Sequence, residues 1–259
     1  MIRVYPDLES LSHAAAALLV TQANLAAAAR GRFSVALSGG NTPRRTYELL
    51  AASPLKDQVP WDRVHVFWGD ERGVPLDDPR SNARMAKEAW LDRVPIPADQ
   101  IHPLNCAPDP AAAARQYEAQ LREFFAGQPP RLDLVLLGLG DDGHTASLFP
   151  GTPVLEERER WAAAVFAAEQ DLYRVTLTAP LINQARVVAF LVAGKSKAGV
   201  LGEVLHGPLD PARLPAQLIQ PQRGELLWLT DLNAAKSLAR DVPRSKPEPG
   251  ESGYPRKIL

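Results

Sequence analysis

The sequence predicts an α/β fold: a mostly parallel sheet with helices on both faces, plus a small antiparallel strand pair. Three observations predict it. The apolar runs at 33–37, 64–68, 132–137, 187–192 and 226–229 are continuous rather than alternating, the pattern of strands covered on both faces. Helix-length stretches separate them, as parallel crossovers require. The runs at 162–166 and 173–177 instead lie too close together for a helix between them, so they pair antiparallel.

Each element has its own signal. Residues 1–30 read as an alanine-rich amphipathic helix with Asp7 or Ser10 as N-cap and Gly31 as the stop. Leu8, Leu11, Leu18, Leu19 and Leu25 mark its stripe. After the strand at 33–37, Pro43 opens a helix running to Leu50. The strand at 64–68 leads through a polar loop to a helix near 81–91. A helix over 110–125 precedes the strand at 132–137 and a glycine-rich loop. The strand at 187–192 feeds a helix near 197–205, and the strand at 226–229 feeds a last one from about Asp231. A single domain is expected over 1–240. Residues 241–259, with Pro243, Pro247, Pro249 and Pro255 among charged and small residues, read as a poorly ordered tail.

Composition narrows the function. Lys plus Arg number 29 against 30 Asp plus Glu, so the basic excess typical of nucleic-acid binding is missing. A lone Cys106 excludes an intrachain disulfide and suits a reducing compartment. The best uninterrupted apolar run, 14–20, is seven residues long, and Pro6, Asp7 and Glu9 stand where a signal peptide needs a basic start. The expectation is a cytoplasmic protein with no membrane, no nucleic acid and no obligatory protein partner.

In open α/β sheets ligands bind beyond the carboxyl ends of the strands, so four loops matter. Ser38-Gly39-Gly40-Asn41-Thr42-Pro43 offers backbone amides for close approach, with Thr42 suited to the N-cap and Pro43 to the first helical position. Such a helix start is a natural phosphate site, although a tight strand-to-helix turn would use the same residues. It lacks the lysine of a P-loop. In Gly69-Asp70-Glu71-Arg72, the Arg72 guanidinium suits bidentate binding of a phosphate or polarised oxygen, positioned by the acids; a solvated turn is the plainer alternative.

In Gly138-Leu139-Gly140-Asp141-Asp142-Gly143-His144, His144 is a general-base candidate because imidazole titrates near neutrality, and Asp142 is placed to hold its tautomer. In Gly194-Lys195-Ser196-Lys197, two lysines at a helix N-terminus oppose the dipole, which is odd unless an anion sits there; a solvated charged turn is the plainer alternative. His13, His65, His102 and His206 scatter without metal-ligand spacing, so no metal and no organic cofactor are expected.

Two motifs mislead. Gly138, Gly140 and Gly143 satisfy G-x-G-x-x-G, but Pro150-Gly151 interrupts where a dinucleotide site needs a long helix. Ala36-Leu37-Ser38-Gly39-Gly40 looks like a degenerate nucleophile elbow, yet it follows the first parallel strand and no late histidine supports it.

Taken together, several segments resemble the 6-phosphogluconolactonase family. They are 36–43, Trp68-Gly69-Asp70-Glu71-Arg72, Pro79-Arg80-Ser81-Asn82, 138–151, Arg174-Val175-Thr176-Leu177-Thr178 and 194–198. The most specific is Gly143-His144-Thr145-Ala146-Ser147-Leu148-Phe149-Pro150-Gly151. The resemblance implies a Rossmann-like fold and hydrolysis of 6-phosphogluconolactone, the second step of the oxidative pentose phosphate pathway. Its partner would be a small phosphorylated sugar lactone. His144 would act as general base with Asp142 orienting it, and Arg72 and Lys197 would supply cationic contacts. Ser38, Gly39, Gly40 and Thr42 would cradle phosphate, with Asp70, Lys195 and Arg174 as further site residues.

Glucosamine-6-phosphate deaminases share the glycine loop, the Asp-Glu pair and the Asp-Gly-His core. They follow that pair with Tyr where this chain has Arg72, and place a carboxylate where it has Phe149. A non-catalytic phosphosugar sensor would carry a DNA-binding segment ahead of the sugar domain, and here the fold begins at once.

Overall fold

The computed structural model describes residues 1–240 and the strand Lys257–Ile258. In chain order the strands are β1 (Ile2–Tyr5), β2 (Phe33–Leu37), β3 (Val64–Trp68), β4 (Asp70–Arg72) and β5 (Leu134–Leu137). They continue with β6 (Ala162–Ala167), β7 (Leu172–Leu177), β8 (Val187–Val192), β9 (Glu225–Asp231) and β10 (Lys257–Ile258). The helices are α1 (Leu8–Arg30), α2 (Asn41–Leu50), α3 (Asn82–Ala89), α4 (Pro110–Phe125), α5 (Ala179–Ile182) and α6 (Lys197–His206). The main sheet has the order β10-β1-β9-β8-β5-β2-β3, parallel except for β10. A second sheet, β4-β7-β6, is antiparallel.

Every residue of β2, β5 and β8 is buried, as the continuous apolar runs predict. The chain leaves β2 toward β3 on one side, whereas from β5 it moves to β8 on the other. The loops after β2 and β5 therefore flank the switch point, where the crevice of such a sheet opens. The four loops singled out in the sequence follow β2, β3, β5 and β8, which are four neighbouring strands.

Three readings are corrected. Residues 2–5 form β1, not the start of a helix; they pair with β9 from Ile2↔Trp228 to Tyr5↔Asp231, a partner too remote in sequence to leave a local signal. Helix α1 begins after Asp7, which accepts from the Ser10 amide at 2.8 Å, and ends at Gly31 with φ 74°. Its buried face is Leu11, Ala15, Ala16, Leu19, Ala23 and Ala26, whereas Leu8 and Leu25 are exposed, so the alanines carry the packing. This 23-residue helix, with a mean hydropathy of 1.2 over its best 18 residues, is long and apolar enough to cross a membrane. Here it packs against α2, β2 and β9.

The third correction concerns Asp70–Arg72. These residues are a strand, paired with β7 at Asp70↔Thr176 and Arg72↔Arg174, so the expected two-stranded unit has three strands. Elsewhere β5 is two residues shorter at its start than the apolar run, and the last helical segment is 3-10, Ala234–Arg240. The expected tail lies outside the described residues apart from β10, which pairs with Ile2 and Arg3.

Near the start of β3, His65 Nδ1 lies 3.2 Å from His102 Nε2, and the His102 ring stacks on Phe67 at 4.4 Å. Burial lowers both histidines, and with the neighbouring His65 it brings His102 to about 4. The unfolded chain then takes up protons first. Stability present above the ordinary pKa of 6.5 is expected to fall as pH drops from there toward about 4. Urea midpoints between pH 7.5 and 4.5 check this, and His102→Gln is expected to flatten the slope.

Candidate active site

The glycine loop is pinned from α2. The Ser38 amide donates to the buried Tyr47 hydroxyl at 3.1 Å, and that hydroxyl donates back to the Ser38 carbonyl at 2.9 Å. Gly40, at φ 96°, caps α2 and starts it two residues before the expected Thr42 cap, so Pro43 becomes its third residue. Gly39 sits against the Asn82 side chain, and a Cβ on it would overlap Asn82 Oδ1.

The two acids beside Arg72 are buried, and neither forms an ion pair with its guanidinium. Glu71 caps α3, accepting from the Asn82 and Ala83 amides at 2.7 Å each and from Ser81 Oγ at 3.0 Å. Burial raises its pKa while these bonds pull it back. Asp70 accepts from Ser147 Oγ at 2.6 Å and from Arg174 Nη1 at 3.3 Å. The expectation that the acids position Arg72 directly is thus replaced by a role in holding its strand. Arg72 Nη1 donates to the Arg80 carbonyl, while Nε is buried without a partner among the described residues. Arg72 also borders a cavity of about 430 Å³ together with Gly40, Asn41, Arg44, Asn82 and Arg84.

On the loop after β5, His144 Nδ1 lies 2.5 Å from Asp142 Oδ1, which also accepts from the His144 amide at 3.1 Å. Burial pushes the Asp142 carboxyl up, but the hydrogen bonds and charge of His144 outweigh it and its pKa is lowered. An ionised Asp142 selects the tautomer with the proton on Nδ1, leaving the Nε2 lone pair free. The two side chains are 26% and 33% exposed, so solvent and small molecules reach them. Phe149 lies beside the ring at 4.6 Å between centroids.

Gly140 makes this pairing possible: a Cβ there would overlap the His144 ring and come within 2.6 Å of Asp142 Oδ1. Gly140→Ala is expected to lower turnover about a hundredfold, the scale of an ångström-sized misplacement. Steady-state kinetics, with circular dichroism to verify folding, checks this.

Lys197 is the first residue of α6, and its Nζ lies 2.7 Å from Asp141 Oδ1. Lys195 is exposed. Arg174 is only 6% exposed, bound to Asp70 and Gln170, with its guanidinium 5.4 Å from the Phe149 ring. It therefore supports the His144 loop from below rather than facing outward. Thr42 is half-buried in the first turn of α2.

Contacts run across all four loops, from Gly39 through Asn82, Asp70 and Ser147 to the His144 loop, and on through Asp141 to Lys197. The cavity beside Arg72 takes in Gly40 but is not lined by Asp142, His144, Lys195 or Lys197. Sequence reasoning gave no role to Tyr47, Asn82, Asp141 or Ser147. Asn82, Asp141 and Ser147 lie in quoted motifs, but a contact between distant segments leaves no spacing signal. Among the described residues no group of three His, Cys, Asp or Glu is placed to hold a metal ion.

Fold and site define an α/β enzyme with a histidine–carboxylate pair and several cations gathered at the carboxyl edge of its sheet. The family of glucosamine-6-phosphate isomerases/6-phosphogluconolactonase matches residues 6–228, and the chain belongs to that family. It is 52% identical over 224 residues to a 6-phosphogluconolactonase of Synechocystis sp., covering 85% of this chain and 90% of that one. It is 39% identical over 245 residues to that of Mycobacterium tuberculosis, covering 92% and 98%. The structure of the Trypanosoma brucei 6-phosphogluconolactonase superposes with a TM-score of 0.79 at 30% identity, covering 92% and 98%. A monomeric glucosamine-6-phosphate deaminase shares the fold, with a TM-score of 0.77 at 22% identity.

Proposed function

We propose that the chain hydrolyses 6-phosphogluconolactone to 6-phosphogluconate within one domain spanning residues 1–240, in the cytoplasm and without an obligatory protein partner. The observation that carries this reading is the His144–Asp142 pair on the loop after β5, which leaves Nε2 free beside the switch point of the sheet. The identity to lactonases over most of the chain supports it.

His144 Nε2 takes a proton from water as the water oxygen attacks the lactone carbonyl. Asp142 holds the ring and supports the imidazolium charge that results. Collapse of the tetrahedral adduct breaks the bond to the ring oxygen, which receives the proton, and the new carboxylic acid ionises. Arg72 and Lys197 bind anionic oxygens of the substrate, and the Gly39 and Gly40 amides line its phosphate end, the Ser38 amide being taken by Tyr47. Phosphate binding remote from the carbonyl serves to orient it.

Because the product is an acid, a pH-stat reads the reaction directly. Proton release above the spontaneous rate is expected with the phosphorylated lactone, and far less with unphosphorylated gluconolactone at equal concentration. Equal rates for the two would remove the phosphate site from the account.

A further inference from the structure

Two lysines at the start of α6 call for an anion, and the structure contains one. The Asp141 carboxylate sits 2.7 Å from Lys197 Nζ, reaching from the His144 loop to the helix that follows β8. Ser196, the cap residue of α6, makes no side-chain cap hydrogen bond. The neighbouring acid, Asp142, is engaged by His144 and does not reach Lys197. Asp141 is 71% exposed and Lys197 only 24%, so the carboxylate approaches the ammonium from the solvent side.

We propose that Asp141 is a specificity-determining residue that occupies Lys197 in place of the substrate's anionic group and is displaced when the phosphorylated ligand binds. This rests on the reading of Lys197 as an anion contact. The exchange keeps the ammonium aimed into the site and partly neutralised between turnovers. It also offsets part of the affinity for the product, whose new carboxylate gives it one more negative charge than the lactone. An exposed ion pair is weak, so breaking it limits affinity without blocking binding.

Calorimetry with 6-phosphogluconate and steady-state kinetics with the phosphorylated lactone test the exchange in Asp141→Asn, Asp141→Ser, Lys197→Ala and the Asp141→Asn/Lys197→Ala double variant. Removing the Asp141 charge is expected to tighten product binding and lower KM for the phosphorylated lactone by about twofold to fivefold. KM for unphosphorylated gluconolactone is expected to stay unchanged. In the Lys197→Ala background the gain is expected to vanish. A gain that persists there would show that Asp141 acts as a diffuse charge rather than through Lys197, and would overturn the proposal. If Lys197→Ala weakens 6-phosphogluconate while the Asp141 variants gain nothing, the exchange is wrong and the Lys197 reading survives. If Lys197→Ala leaves 6-phosphogluconate binding intact, both are wrong.

Discussion

Replacing His144 with alanine is expected to lower kcat by roughly 10²–10⁴-fold, the contribution of a positioned general base, while 6-phosphogluconate still binds. The geometry explains why the loss should fall on turnover. Asp142 takes the Nδ1 side of the ring, so the one nitrogen left for substrate chemistry is Nε2. The loop itself is held by other contacts: the Gly140 amide donates to the His144 carbonyl at 2.8 Å, Thr145 Oγ1 to the Gly138 carbonyl at 2.9 Å, and Ser147 Oγ to Asp70 at 2.6 Å. Truncating the ring leaves all three in place. Near-normal turnover in His144→Ala would end the assignment.

The second large effect is expected at Arg72. Its alanine variant should raise KM for the phosphorylated lactone by about tenfold to a hundredfold, as loss of a hydrogen bond to a charged group does. Unphosphorylated gluconolactone should be affected much less. Arg72 projects from β4, whose partner strand β7 supplies Arg174, yet the two arginines have opposite fates. Asp70 neutralises Arg174 in the interior, whereas among the described residues no carboxylate pairs with the Arg72 guanidinium. Arg72 therefore has charge to offer a ligand, on the wall of the cavity it shares with Gly40. Equal losses with both lactones would instead move Arg72 to the reacting carbonyl.

How far the sequence could be read depended on whether a feature was local. The strands at 33–37, 64–68 and 187–192 and the helix at 110–125 match their observed bounds because each carries its own apolar run, cap or breaker. Strands β1 and β4 were not legible, since four half-buried residues and three polar ones become strands only by pairing with β9 and β7. The site divides in the same way. The His144–Asp142 pair spans two residues and could be read from its motif. Asp70 looked like a partner for Arg72 but binds Ser147, 77 residues away, and Gly39 owes its lack of a side chain to Asn82 at the start of α3. Near-neutral net charge was silent about the cations gathered at one edge of the sheet, because composition counts charges without placing them.

The central claim is that this site hydrolyses a phosphorylated lactone rather than deaminating a phosphorylated amino sugar on the same fold. Both reactions can be followed side by side on one preparation, with proton release reporting on 6-phosphogluconolactone and ammonia release on glucosamine 6-phosphate. Rapid lactone hydrolysis is expected, lowered by roughly 10²–10⁴-fold in His144→Ala, with no ammonia above background. Ammonia release at a comparable rate, or lactone hydrolysis no faster than the spontaneous reaction, would contradict it.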